Sequence, residues 1–131
     1  MFRRRVDLAY RCVVLVADIH HVSLNVSDTE RALAFYRDVL GMATLPRPDF
    51  SFGGAWLDAG NGRQIHLIEA DVPGDHGQHV AFRVDDVDAV VAALRAAGVE
   101  VRDPKPVGGT PIRQTFTHDP DGNLLEFTQP A

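Results

Sequence analysis

Residues 20–28 read HHVSLNVSD, and residues 78–86 read QHVAFRVDD. The second stretch repeats the first at an offset of 58 residues, so that His79 stands where His21 does. In both stretches apolar and polar residues alternate with the period of a β-strand, and an aspartate suited to cap a helix follows. This repeat decides the fold, because each copy is followed by the same order of predicted elements.

Each copy begins a predicted βαβββ unit. The first strand leads into a helix whose N-cap is Ser27 or Asp28 in one unit and Asp85 or Asp86 in the other. Each helix carries a single apolar stripe and ends at a glycine. Three short strands complete each unit, and they are predicted over residues 42–45, 51–58 and 64–69 in the first unit and over residues 99–102, 113–117 and 124–128 in the second.

The predicted fold class is α+β, with two tandem βαβββ modules that form a curved mixed sheet around a metal-binding cup. Residues 1–18 are expected to be an N-terminal extension, and residues 19–131 one domain with modules at about 19–70 and 77–129. One module alone would leave an apolar sheet face in water, so the two copies are expected to close on each other.

Composition excludes several classes of protein. The chain has 131 residues and a net charge of −5, whereas a nucleic-acid-binding domain is usually basic. No apolar run approaches the ~20 residues of a membrane span, so no membrane partner is expected. Cys12 is the single cysteine, which excludes an internal disulfide framework and favours a cytoplasmic location. The expected partner is a small-molecule substrate.

Strand parity places four residues of metal-ligating type on one sheet face. Alternate side chains of a strand point to opposite faces, so that apolar residues face the helices while His21, His66, His79 and Glu126 face away. Three imidazoles and one carboxylate suit a divalent Fe, Mn, Ni, Co or Zn ion. The sequence therefore predicts one divalent metal ion, and His20 is excluded as a ligand because its parity is opposite.

The same face supplies candidate catalytic and substrate-binding residues. The candidate base is the Glu126 carboxylate or a metal-bound hydroxide, and His66 is either a fourth metal ligand or an acid/base that does not touch the metal. The segment DPDGN at residues 119–123 has the composition of a tight turn, and no other role is predicted for it. The candidate substrate-lining residues are Asn25, Phe52, Trp56, Arg83 and Phe116.

These residues resemble the vicinal oxygen chelate superfamily, which includes glyoxalases, bleomycin-resistance proteins and extradiol dioxygenases. Segments 20–28, 34–42, 77–82 and 119–126 carry the resemblance, which covers about residues 19–129. It implies paired βαβββ modules around a metal cup and a homodimer. It also implies that the metal ligands are His21, His66, His79 and Glu126.

Three functions are compatible with the resemblance. The favoured one is a divalent-metal-dependent lyase or isomerase acting on a small substrate with vicinal oxygens, although glyoxalase I usually has glutamate or glutamine where His66 stands. The second is an Fe(II)-dependent ring-cleaving dioxygenase, whose ligand triad matches His21, His79 and Glu126 but whose tyrosine is replaced by Phe116. The third is a small-molecule binding or antibiotic-resistance protein.

Overall fold

The computed structural model of the chain describes residues 15–131 in full. Of residues 1–14 it describes only the backbone pairing of β1 (Val6–Asp7) with β2 (Cys12–Val13), so most of the predicted extension lies outside the described residues. The strands of the first module are β3 (His21–Val26), β4 (Thr44–Leu45), β5 (Gly54–Gly60) and β6 (Arg63–Glu69). Those of the second module are β7 (Val80–Arg83), β8 (Lys105–Pro106), β9 (Arg113–His118) and β10 (Leu124–Gln129).

The two modules have the same topology. The first sheet has the strand order β3-β6-β5-β4, and the second has the equivalent order β7-β10-β9-β8. The first and last strand of each module are parallel neighbours, and the other pairs are antiparallel. The prediction of two βαβββ modules is therefore confirmed, and the parallel pairing places the first strand of each module beside its last strand.

An aspartate caps each helix. Asp28 accepts a 2.9 Å hydrogen bond from the Arg31 N–H at the start of α1 (Thr29–Leu33), and the chain continues as a π-helical segment (Ala34–Val39). Asp86 accepts hydrogen bonds from two backbone N–H groups in the first turn of α2 (Val87–Ala96). Of the two cap candidates predicted for each helix, the caps are thus Asp28 and Asp86, because each directly precedes its helix.

Strand parity separates the two sheet faces as predicted. In β3, Val26 is fully buried and Val22 and Leu24 pack against the core, whereas His21 is exposed. In β6, Ile65 is buried on the helix side. The helices and these apolar side chains form a single core, which leaves the opposite sheet face for polar side chains.

Some element boundaries differ from those predicted. Residues 99–102 form no strand, but only a single bridge between Val101 and Thr117, and the strand of this region is β8 at Lys105–Pro106. The prediction of a strand at 99–102 is wrong because the carbonyls of Glu100 and Arg102 accept hydrogen bonds from the Thr117 and Thr115 hydroxyls of β9, in place of a continuous backbone ladder. His79 immediately precedes β7 instead of lying within it.

No helix within residues 15–131 is long and apolar enough to cross a bilayer.

A buried polar network joins the two modules. The Tyr36 hydroxyl donates a 2.6 Å hydrogen bond to Oδ2 of Asp119, and both residues are buried. Asp119 also accepts hydrogen bonds from the side-chain amide of Asn123 and from the backbone N–H of Asp121. The Asn123 amide further donates to the Asn25 carbonyl at 3.0 Å. The segment 119–123 is therefore a link between modules as well as the predicted turn.

Candidate metal centre

The first pair of predicted ligands, here called the N half-site, consists of His21 and His66. Their strands β3 and β6 are parallel neighbours, and the register sets Ser23 opposite His66. The two imidazole rings stack with centroids 3.9 Å apart and an interplanar angle of 15°. Direct contact between two imidazoles on the face opposite the helices agrees with the predicted parity.

His66 lies in a buried and ordered position. Trp56 is its cross-strand partner in β5, and their rings stack at 4.2 Å with an angle of only 4°. The Nε2 atom of His66 lies 2.8 Å from Oε1 of Gln64, so Nε2 carries the proton and Nδ1 keeps the lone pair. Burial and the neighbouring imidazoles of His21 and His20 lower the pKa of His66, which favours the neutral ring.

His20 contacts His21, contrary to the prediction that its side chain points elsewhere. The Nδ1 atoms of the two rings are 2.8 Å apart, so one ring carries the proton and the other accepts it. Strand parity does not apply to His20, because β3 begins at His21. His20 therefore belongs to the surroundings of the N half-site.

The second pair, here called the C half-site, consists of His79 and Glu126. The Nε2 atom of His79 lies 3.1 Å from Oε1 of Glu126, and its Nδ1 lies 2.9 Å from the Gly77 carbonyl oxygen. The Gly77 carbonyl and the Glu126 carboxylate raise the pKa of His79 against the opposing effect of desolvation. Phe116 is the cross-strand partner of Glu126, and its ring meets His79 edge-on at 5.5 Å.

The two half-sites are equivalent by the repeat but do not form one site within the chain. Trp56 lies across from His66 as Phe116 lies across from Glu126, so each half-site has an aromatic neighbour. Within residues 15–131, no three histidine, cysteine, aspartate or glutamate side chains are close enough together to hold a metal ion. The four predicted ligands are thus brought together as two pairs, and their role as ligands stays a prediction.

The other predicted residues have varied positions. Trp56 and Phe116 adjoin the half-sites, whereas the Asn25 amide donates to the Asp71 carbonyl at 2.9 Å. Arg83 lines a cleft of about 1200 Å³ between the modules, which His79 also lines. Phe52 stacks on Phe50 beyond the N half-site.

Sequence reasoning did not assign roles to Phe50 or Gln64. The signal for Gln64 was present in the sequence, because it shares the parity of His66 on the same strand. Phe50 lies in a segment outside any strand and therefore has no parity to reveal its neighbours.

His118 ties the segment between the modules to β9. Its Nε2 atom lies 2.8 Å from Oδ2 of Asp75, and this hydrogen bond is the main reason that the pKa of Asp75 is lowered. Gly77 donates its backbone N–H to the other oxygen of Asp75 at 2.9 Å. These two hydrogen bonds of Asp75 hold the segment that contains Gly77, whose carbonyl oxygen contacts His79.

Comparison with known proteins agrees with this architecture. A lactoylglutathione lyase from Haemophilus influenzae is 36% identical over 123 residues, which cover 85% of this chain and 91% of that protein. An antibiotic binding protein from Streptomyces is 32% identical with a TM-score of 0.73, over 90% of this chain and 99% of that one. A fosfomycin resistance protein from Listeria monocytogenes, crystallised as a mutant with Mn(II), shares the fold at 20% identity and a TM-score of 0.77, over 89% and 95% of the two chains.

The match at the level of the family covers nearly the whole described region. The model of the Glyoxalase/Bleomycin resistance protein/Dioxygenase superfamily matches residues 18–127, a range that includes both half-sites and all of the two βαβββ modules except the last two residues of β10. The chain belongs to the Glyoxalase/Bleomycin resistance protein/Dioxygenase superfamily.

Proposed function

We propose that this chain is a divalent-metal-dependent lyase of the glyoxalase type that acts on a small substrate with vicinal oxygens. The observation that carries the proposal is the presence of two half-sites at repeat-related positions, each with two metal-ligating side chains in direct contact. The similarity to the lactoylglutathione lyase supports the choice of reaction.

The donor set of the two half-sites fits a first-row divalent ion. His21, His66, His79 and Glu126 would hold it, and three nitrogens with one carboxylate oxygen suit Fe, Mn, Ni, Co or Zn. Imidazoles bind metal only when deprotonated, and the lowered pKa of His66 favours that form. When bound, the metal supplies a Lewis acid that polarises the two substrate oxygens.

In this proposal the complete site forms between two copies of the chain, since residues 15–131 of each copy bring the proposed ligands together only in pairs. We therefore place the N half-site of one copy opposite the C half-site of its partner, in a homodimer with two sites. The strands β3 and β7 are each one of the two edge strands of their sheet, and an edge strand presents unpaired backbone groups to another chain. Each of these edge strands lies next to a half-site, so pairing between the edges of two chains would bring an N half-site and a C half-site together.

Glu126 is the proposed base of the reaction. Its side chain is 14% exposed, and His79 contacts one of its carboxylate oxygens. Removal of a proton from the carbon next to a polarised carbonyl requires a carboxylate held close to that carbon. His66 is proposed as the fourth ligand through Nδ1, because Nε2 is engaged by Gln64. If His66 is instead an acid/base that does not touch the metal, its substitution should lower activity without lowering the affinity for the metal.

A second candidate function is sequestration of a small molecule. It is favoured by the exposed aromatic side chains of Phe50 and Phe52 beside the N half-site and by the similarity to the antibiotic binding protein. A binding protein would take up a ligand without turnover and would have no need of the C half-site carboxylate.

Complementation between two inactive variants tests the shared site. One variant carries His21→Ala and His66→Ala, and the other carries His79→Ala and Glu126→Ala. Each alone should lose bound metal and the formation of lactoylglutathione from methylglyoxal and glutathione. After mixed refolding, one site in each mixed dimer is intact, so about one quarter of the wild-type metal content and activity should return.

Arg37→Ala, on the exposed helical side, is the matched control and should keep full activity and metal content. No recovery on mixing, with the wild-type protein active, would contradict the shared site. Metal analysis of wild-type protein purified without a nickel tag identifies the ion. Loss of activity on oxidation of bound Fe(II) would instead favour the dioxygenase, and absence of metal with retained ligand binding would favour sequestration.

A further inference from the structure

An aromatic pair lies exposed next to the N half-site. Phe50 and Phe52 are 40% and 44% exposed, and among residues 15–131 no other phenylalanine, tyrosine or tryptophan side chain is as exposed. Their rings are nearly parallel, with centroids 5.0 Å apart and an angle of 9°. Single exposed apolar residues are common on protein surfaces, but a stacked pair forms a continuous apolar surface of the kind that binds a ligand. We call these two residues the aromatic shelf.

Arg47 fixes the shelf in place. Its guanidinium carbon lies 4.8 Å from the ring centroid of Phe50 and 5.3 Å from that of Phe52. The same guanidinium donates a 2.8 Å hydrogen bond to the Phe52 carbonyl oxygen. These contacts hold the two rings in one orientation, so little conformational entropy remains to be lost when a ligand stacks on them.

The shelf adjoins the stacked rings of the half-site. The Phe50 centroid lies 6.2 Å from that of Trp56 with the two rings tilted by 50°, and the Trp56 ring is stacked at 4.2 Å on His66. A substrate group that extends away from the N half-site along Trp56 therefore meets Phe50 next. The C half-site has only Phe116 with Arg102 at 5.6 Å, and no equivalent exposed pair lies among the described residues.

We propose that the aromatic shelf binds a planar aryl group of the substrate, with Phe50 and Phe52 as specificity-determining residues. The inference rests on the proposed function, because it takes the half-site as the place where the reacting oxygens bind. Parallel aromatic rings stack favourably beyond the effect of burial alone, so the shelf distinguishes a flat aromatic group from a saturated group of similar size.

Two probes with the same carboxylate test the shelf. We compare 2-naphthoate with its saturated counterpart, decahydro-2-naphthoate, by calorimetric titration of the full chain with and without one equivalent of Mn(II). The carboxylate contributes equally to both, so the affinity ratio reports the aryl group. The wild-type protein should bind 2-naphthoate about tenfold more tightly than the saturated acid.

Matched variants assign the preference to the shelf. The double variant Phe50→Leu with Phe52→Leu keeps apolar side chains, and it should reduce the affinity ratio to about one without weakening decahydro-2-naphthoate. Arg37→Ala should keep the wild-type ratio. The indole N–H resonance of Trp56, the single tryptophan, should shift with 2-naphthoate and not with the saturated acid.

The outcomes separate this inference from the proposed function. A wild-type ratio near one, or a ratio that survives in the double variant, would overturn the shelf even if the protein is an active lyase. A tenfold preference that depends on the shelf would support it even if no metal or lyase activity is found. If the double variant changes the oligomeric mass in solution, the pair belongs to a protein interface and the inference is wrong.

Discussion

Replacement of Tyr36 by phenylalanine tests the network that joins the two modules. The Tyr36 ring is fully buried, and its hydroxyl donates to Asp119, 83 residues away in the chain. Burial and the Asp119 carboxylate both raise the pKa of Tyr36, so the hydroxyl stays a neutral donor at any pH used for folding studies. Phenylalanine keeps the ring and its packing, and it removes only this donor.

The expected loss follows from the charge of the acceptor. A hydrogen bond to a charged group contributes about 2 kcal/mol net, whereas a bond to a neutral carbonyl contributes about 1 kcal/mol. Without the hydroxyl, Oδ2 of Asp119 keeps only the Asn123 amide as a partner. Tyr36→Phe should therefore lower the free energy of unfolding by about 2 kcal/mol and the Tm by about 8 °C for a domain of this size.

Thr115→Val is the matched control for a neutral acceptor. Thr115 is also buried, and its hydroxyl donates a 2.6 Å hydrogen bond to the Arg102 carbonyl oxygen. Its loss should be about half that of Tyr36→Phe, measured by urea denaturation with fluorescence detection of Trp56. A loss under about 0.5 kcal/mol for Tyr36→Phe, or one no larger than that of the control, would refute the reasoning.

Gly54→Ala should destabilise the protein by about 1–3 kcal/mol in the same denaturation assay, because a Cβ at residue 54 overlaps the Leu67 carbonyl oxygen. Gly109→Ala is the control and should be nearly neutral, because a Cβ at residue 109 meets nothing within 4 Å. In metal-free protein, NMR should show His66 titrating at lower pH than His79, because burial lowers the pKa of the first and a backbone carbonyl raises that of the second. Stability contributed by neutral His66 is then lost as pH falls from ~6.5 through its folded pKa, whereas that from protonated His79 is lost as pH rises above ~6.5 through its own. Equal titration midpoints for His66 and His79 would contradict the different environments described for the two rings.

The sheet faces were predictable because they depend on a local rule. The alternation in β3 and β6 places Val26 and Ile65 in the core and His21 on the opposite face, and no knowledge of distant residues is needed for that inference. The same rule failed at His20, which precedes the strand, and the strand predicted at residues 99–102 failed because local alternation does not show where pairing stops. Boundaries depend on the partner strand, which the sequence of one segment does not contain.

The sequence by itself determined the two βαβββ modules, a polar cap before each helix, and a residue of metal-ligating type at the start of each module and on its last strand. Periodicity, capping chemistry and the offset of 58 residues between the repeats are all properties of the chain alone. Only the tertiary structure decided that His21 contacts His66 and that His79 contacts Glu126 while the two pairs stay apart. Each of these contacts depends on the parallel pairing of the first and last strand of a module, whereas the buried hydrogen bond from Tyr36 to the 119–123 turn links one module to the other.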